Sequence, residues 1–218
     1  MNWTFGIISV PENINQTKEI INSIRAQKIP KDKYEIIIIG SLKLSSSDDL
    51  SIISFDESVK TKWITRKKNL IAQAAKYQNI SLMHDYVALR PNWYDNFIEF
   101  GEDWDVCMTR IENQDGKRFR DWMSWDNFGF IDYDDNTKTK EMYVSGTYFC
   151  IKKDFFINHP LDERLSWGEG EDVEWSKSVR NIWNYRCNYK SVVRFIKYKN
   201  HFPQLSSEEE NQGFARKR

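Results

Sequence analysis

Residues 34–40 read Tyr34-Glu35-Ile36-Ile37-Ile38-Ile39-Gly40. Four consecutive isoleucines leave no polar face, which is typical of a strand buried on both sides in a parallel sheet that helices cover. Upstream, residues 5–10 form another apolar run that stops at Pro11, and residues 15–27 carry isoleucines at helical spacing. Strand, helix and strand in succession predict a βαβ unit and therefore an α/β fold.

The rest of the chain continues this alternation. The patterns predict further strands at 50–55, 80–83, 104–109, 142–151 and 192–198, and helices at 65–77, 92–100 and 172–183. Between them lies a polar, aromatic and turn-rich segment, residues 111–140, and long irregular segments of this kind are usually functional. No linker rich in Gly, Ser or Pro is present, so we expect one domain over residues 1–205 and a charged tail at 206–218.

Composition excludes several classes of protein. The 32 basic and 32 acidic residues cancel, so there is no global basic field and we expect no nucleic acid partner. Three widely spaced cysteines fit neither a disulfide framework nor a zinc site, and we expect them to be reduced. The chain starts without the pattern of a signal peptide and has no apolar run long enough to span a bilayer, so we expect a cytoplasmic protein.

The first candidate site follows the strand at 80–83 and reads His84-Asp85-Tyr86. In open α/β sheets, ligands bind beyond the carboxyl ends of the strands. A carboxylate there can hold Mg²⁺ or Mn²⁺ that bridges substrate phosphates. Alternatively, Asp85 only caps the next turn.

The second candidate site is the acidic segment Trp167-Gly168-Glu169-Gly170-Glu171-Asp172-Val173-Glu174. A carboxylate held in a fixed position can act as a general base, and a neighbouring one can accept hydrogen bonds from sugar hydroxyls. The alternative is structural, because acidic side chains stabilise the N-terminus of a helix.

Two basic or imidazole groups are further candidates. Arg66, Lys67 and Lys68 open the predicted helix at 65–77, where cations oppose the helix dipole. A pyrophosphate would explain them, and so would a solvated basic turn. His201 follows the last predicted strand and is either structural or a ligand. The phosphate-binding GxxxxGK[ST] and GxGxxG motifs and the GxSxG and HExxH catalytic motifs are absent.

Taken together, residues 3–203 resemble the GT-A fold of nucleotide-sugar glycosyltransferases. Residues 8–13 resemble the first strand and nucleotide-binding turn of family 2 glycosyltransferases, and residues 66–69 resemble the Ala-Arg-Asn opening of their nucleotide-contacting helix. Residues 83–89 lie where the superfamily has its DxD motif and are similar to the Phe-His-Asp-Val-Asp-Leu-Leu form of β-1,4-galactosyltransferases. Residues 143–146 and 167–172 resemble the glycine turn and the Trp-Gly-Gly-Glu-Asp-Asp acceptor motif of those enzymes.

The resemblance implies a mixed, mostly parallel sheet flanked by helices and a set of site residues. It implies nucleotide contacts from Val10, Pro11, Glu12, Arg66, Lys68, Asn69, His84 and Asp85. It makes Asp172 the catalytic base, with Glu171 orienting the sugar. Acceptor contacts would come from Gly146, Trp167, Trp122 and Trp125. Asp85 and His201 would bind Mn²⁺ or Mg²⁺.

The function that the resemblance implies is metal-dependent, inverting transfer of a sugar, with galactosyl transfer among the candidates, from a UDP-sugar to a hydroxyl of a carbohydrate or glycolipid, in polysaccharide biosynthesis. Two positions depart from the family pattern: Val87 replaces the second Asp of DxD, and Gly40-Ser41 replaces the usual Asp after the second strand. Two alternatives stay open. One is a sugar-phosphate nucleotidyltransferase, although the first loop lacks a glycine-rich signature. The other is a non-catalytic carbohydrate- or nucleotide-binding homologue, which Val87 favours.

Overall fold

The computed structural model describes residues 1–125 and 129–199. Its strands are β1 (Trp3–Ile8), β2 (Tyr34–Ile39), β3 (Leu50–Ile53), β4 (Asn79–His84), β5 (Val87–Leu89), β6 (Val106–Glu112), β7 (Met123–Ser124), β8 (Met142–Tyr143), β9 (Tyr148–Lys152) and β10 (Tyr185–Phe195). Its α-helices are α1 (Ile14–Arg25), α2 (Ile64–Ala74), α3 (Trp93–Phe100), α4 (Lys153–Asn158) and α5 (Glu171–Val179).

The main sheet contains eight strands in the order β3-β2-β1-β4-β9-β6-β10-β5, and β7 and β8 form a separate small sheet. Strands β3, β2, β1 and β4 are parallel to one another. Strand β9 is antiparallel to both of its neighbours, whereas β10 runs parallel to β6. The sheet is therefore mixed and mostly parallel, as predicted for an α/β fold.

The βαβ unit at the start of the chain is confirmed. The four isoleucines of β2 are all buried, because both faces of the strand are covered. A close approach between β1 and α2 explains Gly6, since a Cβ there would come within 2.3 Å of Ile71 Cγ2. Parallel pairing brings the carboxyl ends of β1, β2 and β4 to one edge, and this edge carries the candidate site.

The segment 142–151, which the pattern predicts as one strand, is instead two strands in different sheets. The chain turns at residues 144–147, where Tyr148 N donates to Ser145 O at 3.1 Å. The apolar residues on either side of Gly146 hide this break in the sequence. The turn places Gly146 at the edge of the main sheet, where β9 begins beside the end of β4.

Four other elements differ from the predictions. The last strand is Tyr185–Phe195 rather than 192–198, and it contains an irregularity between Asn188 and Val192 that interrupts its apolar pattern. Strand β5 and helix α4 are not predicted, because three and six residues are too few for a periodic signal. Helix α5 ends at Val179 rather than at 183.

Many of the aromatic residues are part of the core. The ring centroid of Trp3 lies 4.7 Å from that of Trp93 and 4.8 Å from that of Phe97. All three cysteines are free and buried, as expected. Among the described residues, no helix is both long and apolar enough to cross a membrane.

Candidate donor and acceptor site

Asp85 lies at the carboxyl end of β4 and joins it to the turn that follows β1. Its backbone N–H donates to Ile8 O at 3.1 Å. Its Oδ2 accepts hydrogen bonds from Val10 N at 3.2 Å and from Asn13 Nδ2 at 3.0 Å. Val10 and Asn13, from the predicted nucleotide-binding turn, therefore contact a buried carboxylate, whereas Pro11 and Glu12 are exposed. Asp85 holds the turn after β1, and not the turn after Asp85 itself that the structural alternative names, and it lies at the binding edge.

The ligands for a divalent cation are incomplete in the described part of the chain. Asp85 supplies one carboxylate, one of whose oxygens already holds two hydrogen bonds. Val87 is apolar and fully buried in β5, so it cannot replace the missing carboxylate. No group of three His, Cys, Asp or Glu residues that could hold a metal exists among residues 1–125 and 129–199, and His201 lies outside them. These residues alone do not form a metal site.

Asp172 is held against the turn that precedes β9. Its Oδ2 accepts a 2.8 Å hydrogen bond from Gly146 N, and its Oδ1 accepts one of 2.9 Å from Val173 N. A Cβ at position 146 would lie 2.8 Å from Asp172 Oδ2, so any residue larger than glycine would require the carboxylate to move. Asp172 is in the first turn of α5, which Gly170 begins with a φ of +76°. The carboxylate therefore has a fixed position, as a general base requires.

Glu171 lies beside Asp172 and is buried. Burial raises the pKa of the Glu171 carboxyl group, the negative charge of Asp172 raises it further, and Lys68 opposes both effects. The Lys68 ammonium group is also buried and donates to Gly146 O at 2.7 Å. Burial lowers the pKa of Lys68, whereas Glu171 and Asp172 raise it. One buried cation thus faces two carboxylates and the glycine turn.

His84 connects the two halves of the site. Its backbone N–H donates to Thr147 O at 3.1 Å, which joins the end of β4 to the glycine turn. Burial lowers the pKa of the imidazole well below its usual value, and the nearby charges of Lys68 and Lys199 lower it further. His84 is therefore neutral at neutral pH. The structure brings the following predicted residues to one edge of the sheet: Val10, Lys68, His84, Asp85, Gly146, Glu171 and Asp172.

Two residues predicted to contact a nucleotide are instead bound to the segment at 161–163. Arg66 Nη1 lies 3.1 Å from both carboxylate oxygens of Glu163. The buried Asn69 side chain donates to Leu161 O at 2.9 Å and to Glu163 Oε1 at 3.0 Å, and it accepts from Leu161 N at 3.1 Å. The ion pair with Glu163 explains the charge of Arg66 without a pyrophosphate, and neither Arg66 nor Asn69 is among the residues proposed for the site.

The three tryptophans predicted to contact an acceptor have different environments. Trp122 is fully buried, its indole N–H donates to Asp135 O at 3.2 Å, and its ring packs on Tyr185, so stacking on an acceptor is excluded. Trp125 is half-buried, with the Arg180 guanidinium 5.4 Å from its ring. Trp167 is 53% exposed and is available for stacking.

Sequence reasoning missed Lys62 and Lys199. The Lys62 ammonium group lies 4.8 Å from the Trp167 ring, and Lys62 O accepts from Trp167 N at 3.3 Å. The Lys199 ammonium group lies 4.1 Å from the ring centroid of Tyr86, the residue that follows Asp85. Neither residue belongs to a motif, and only the density of lysines at positions 60–68 and 197–199 could have indicated them.

Comparison with known proteins identifies the fold. No protein-family model and no curated protein sequence matches the chain. An S. aureus TarS structure in complex with UDP-GlcNAc superposes with a TM-score of 0.64 at 13% identity, over 92% of this chain and 60% of that chain. A structure of GalNAc-T7 with UDP, GalNAc and Mn²⁺ gives a TM-score of 0.66 at 16% identity, over 95% of this chain and 46% of that chain.

A second S. aureus TarS structure gives a TM-score of 0.60 at 14% identity, over 91% of this chain and 36% of that one. This chain thus spans less than two thirds of the length of the chain in each of these three structures. The similarity extends over nearly the whole of this chain and includes the mixed sheet and its flanking helices. The chain therefore has the GT-A fold.

Proposed function

We propose that the protein transfers a sugar from a UDP-sugar to a hydroxyl group of a carbohydrate or glycolipid acceptor. One observation carries the proposal: the Asp172 carboxylate is fixed by Gly146 N at the same sheet edge as His84 and Asp85. A base and a candidate donor-binding edge lie side by side. The solved structures of TarS with UDP-GlcNAc and of GalNAc-T7 with UDP, GalNAc and Mn²⁺ support a UDP-sugar as donor.

In the proposed reaction, Asp172 accepts the proton of the acceptor hydroxyl as its oxygen attacks the anomeric carbon. The bond from that carbon to the diphosphate breaks, and UDP leaves with the bonding electron pair. Attack from the side opposite the leaving group inverts the anomeric configuration. Glu171 accepts a hydrogen bond from the acceptor, and Lys68 offsets the charge of the two carboxylates.

The exposed Trp167 and the half-buried Trp125 are the proposed stacking surfaces for the acceptor. For a divalent cation, Asp85 is the proposed ligand from the described residues and His201 the proposed ligand from outside them. A bound Mn²⁺ would supply positive charge to the leaving diphosphate. Because the described residues do not complete this site, the dependence on Mn²⁺ is part of the test.

A second candidate function is binding of a nucleotide or carbohydrate without catalysis. The buried Val87 at the second position of the DxD-like motif favours it, because the usual second carboxylate is missing. This candidate predicts the same donor binding but no release of UDP from a UDP-sugar.

Thermal unfolding in the presence of UDP, CDP, GDP and dTDP, each with Mn²⁺ and with EDTA, tests the proposal. A ligand at 100 times its Kd stabilises the native state by about 2.7 kcal/mol. For a chain of this size we expect UDP to raise Tm by about 5–10 °C. Stabilisation by none of the four nucleotides contradicts the proposal, and stabilisation by UDP without turnover of any UDP-sugar favours the binding protein.

A further inference from the structure

Two lysines that follow β10 place their ammonium groups on the buried ring of Tyr86. Lys197 Nζ lies 4.8 Å and Lys199 Nζ 4.1 Å from the ring centroid. Tyr86 directly follows Asp85 in the chain, and its ring packs against Phe195 at 5.5 Å.

The backbone of Lys199 is held in place by Asn113, the buried residue that follows β6. Asn113 Nδ2 donates to Lys199 O at 2.8 Å, and Lys199 N donates to Asn113 Oδ1 at 3.1 Å. Gln114 Nε2 also donates to Ile196 O. These contacts fix the direction from which the Lys199 side chain approaches Tyr86.

The Lys199 side chain is half-buried, and its ammonium group lies on the ring of Tyr86, the residue that follows Asp85. Burial lowers the pKa of Lys199, and the negative charge of Asp85 partly offsets this effect. The positive charge of Lys199 in turn contributes to the low pKa of His84. No ion pair between Lys199 and Asp85 forms among the described residues, and the position of the ammonium group is given by its contact with the ring of Tyr86.

We propose that Lys199 binds the diphosphate of the nucleotide-sugar donor and that Lys197 adds to the positive charge there. This inference rests on the proposed function. Phosphate oxygens and an ammonium group form charge-assisted hydrogen bonds, and lysine binds phosphate as a point charge. The leaving diphosphate gains negative charge as the glycosidic bond breaks, so the same contact stabilises the transition state.

Lys199 supplies positive charge at a site whose described residues do not complete a cation site. Val87 supplies no carboxylate for a second bond to a cation, and the described residues do not complete a metal site. An ammonium group on the ring of Tyr86, the residue that follows Asp85, supplies positive charge from the chain itself. Lys199 contributes in this way whether or not Mn²⁺ is bound.

The test compares the binding of UDP and uridine to the wild type, Lys199→Met and Lys199→Arg by calorimetry, in EDTA and in Mn²⁺. Lys190→Met is the matched control, since Lys190 lies in β10 and its ammonium group pairs with Glu99 at 2.7 Å. For Lys199→Met we expect a Kd for UDP about 10- to 100-fold higher and an unchanged Kd for uridine, because a hydrogen bond to a charged group is lost. Lys199→Arg should restore most of the affinity, and Lys190→Met should bind as the wild type does.

Three results would overturn the inference. If UDP binds equally well to the wild type and to Lys199→Met, then Lys199 does not contact the diphosphate. If Lys199→Met weakens uridine as much as UDP, the side chain only supports the fold around Tyr86. If the wild type binds UDP no better than uridine, both this inference and the proposed donor are wrong. Thermal unfolding of each variant identifies any loss of folded protein.

Discussion

At the scale of single residues, Glu171 links stability to pH. Burial and the neighbouring Asp172 raise the pKa of its carboxyl group above the ordinary value of 4.5, despite the opposing charge of Lys68. A carboxyl group with a raised pKa binds more protons in the folded state than in the unfolded state. Stability is therefore lost as the pH rises from 4.5 through the raised pKa, and the ionised group continues to destabilise the fold at neutral pH.

We predict that Glu171→Gln increases the free energy of unfolding at pH 7, because the amide cannot ionise. The gain should disappear at about pH 4, where Glu171 is largely protonated in both states. Urea unfolding at the two pH values measures it. Glu174→Gln is the control, because this acid lies on the same helix but is exposed. A less stable Glu171→Gln protein at pH 7 would contradict the predicted sign.

The contact between Gly146 and Asp172 gives a second prediction. In Gly146→Ala the new methyl group would lie 2.8 Å from Asp172 Oδ2, so the carboxylate must move. A displacement of about 1 Å can reduce a rate about 100-fold. We expect a loss of sugar transfer of this order with an unchanged Kd for UDP. Ser145→Ala, in the same turn, is the control, and normal transfer by Gly146→Ala would show that the position of Asp172 is unimportant.

At the scale of elements, the ends of β1 and β2 approach one another at Gly40. Gly40 has a φ of +152°, and a Cβ there would lie 2.1 Å from the backbone oxygen of Ser9. Gly40 N also donates to Ile53 O at 3.0 Å, which holds the third strand to the same edge. The close contact with Ser9 O therefore explains why position 40 is a glycine, and not the Asp that the resembled glycosyltransferases usually have there.

Substitution of Gly40 by alanine should lower the free energy of unfolding by about 2 kcal/mol or more, because a backbone atom cannot move aside as a side chain can. The control is Gly116→Ala, where φ is also positive, at +76°, but nothing lies within 4 Å of the added Cβ. Thermal or urea unfolding compares the two variants. Equal losses of stability would show that strain in φ, and not the contact with Ser9, determines the cost.

The success of sequence-based prediction also varies from element to element. Strand β2 could be predicted because its apolar run is continuous and ends at a glycine. The split between β8 and β9 could not, because strand-like residues lie on both sides of the turn and tertiary hydrogen bonds hold it. One of these bonds joins Val144 N to Ser176 Oγ at 3.1 Å, from a helix 32 residues along the chain.

At the scale of the whole molecule, the fold could be inferred from the order of motifs, but the use of individual side chains could not. Arg66 and Lys68 are two positions apart, and the sequence does not distinguish their roles. Lys68 is buried and donates to Gly146 O, whereas Arg66 pairs with Glu163. The same holds for tryptophans, since Trp122 is a core residue and Trp167 is exposed. Burial depends on the packing of distant elements, and local patterns do not determine it.

The exposure of Trp167 predicts how the acceptor binds. Removal of its ring in Trp167→Ala should raise KM for a carbohydrate acceptor about 2- to 13-fold, if stacking on the acceptor contributes about 0.5–1.5 kcal/mol as aromatic pairs do. The Kd for UDP should not change. Ile182→Ala, at another exposed apolar position, is the control. An unchanged KM would place the acceptor elsewhere on the molecule.

The most direct test of the central claim is the rate at which wild type and Asp172→Asn release UDP from a panel of UDP-sugars, with and without a carbohydrate acceptor. The amide preserves the shape of the side chain but cannot accept the proton. We predict turnover of at least one donor by the wild type, a loss of about 10²- to 10⁴-fold in Asp172→Asn, an unchanged affinity for UDP, and normal rates for the control Glu174→Gln. Equal rates for Asp172→Asn and the wild type, or turnover of no UDP-sugar by either, would contradict the account.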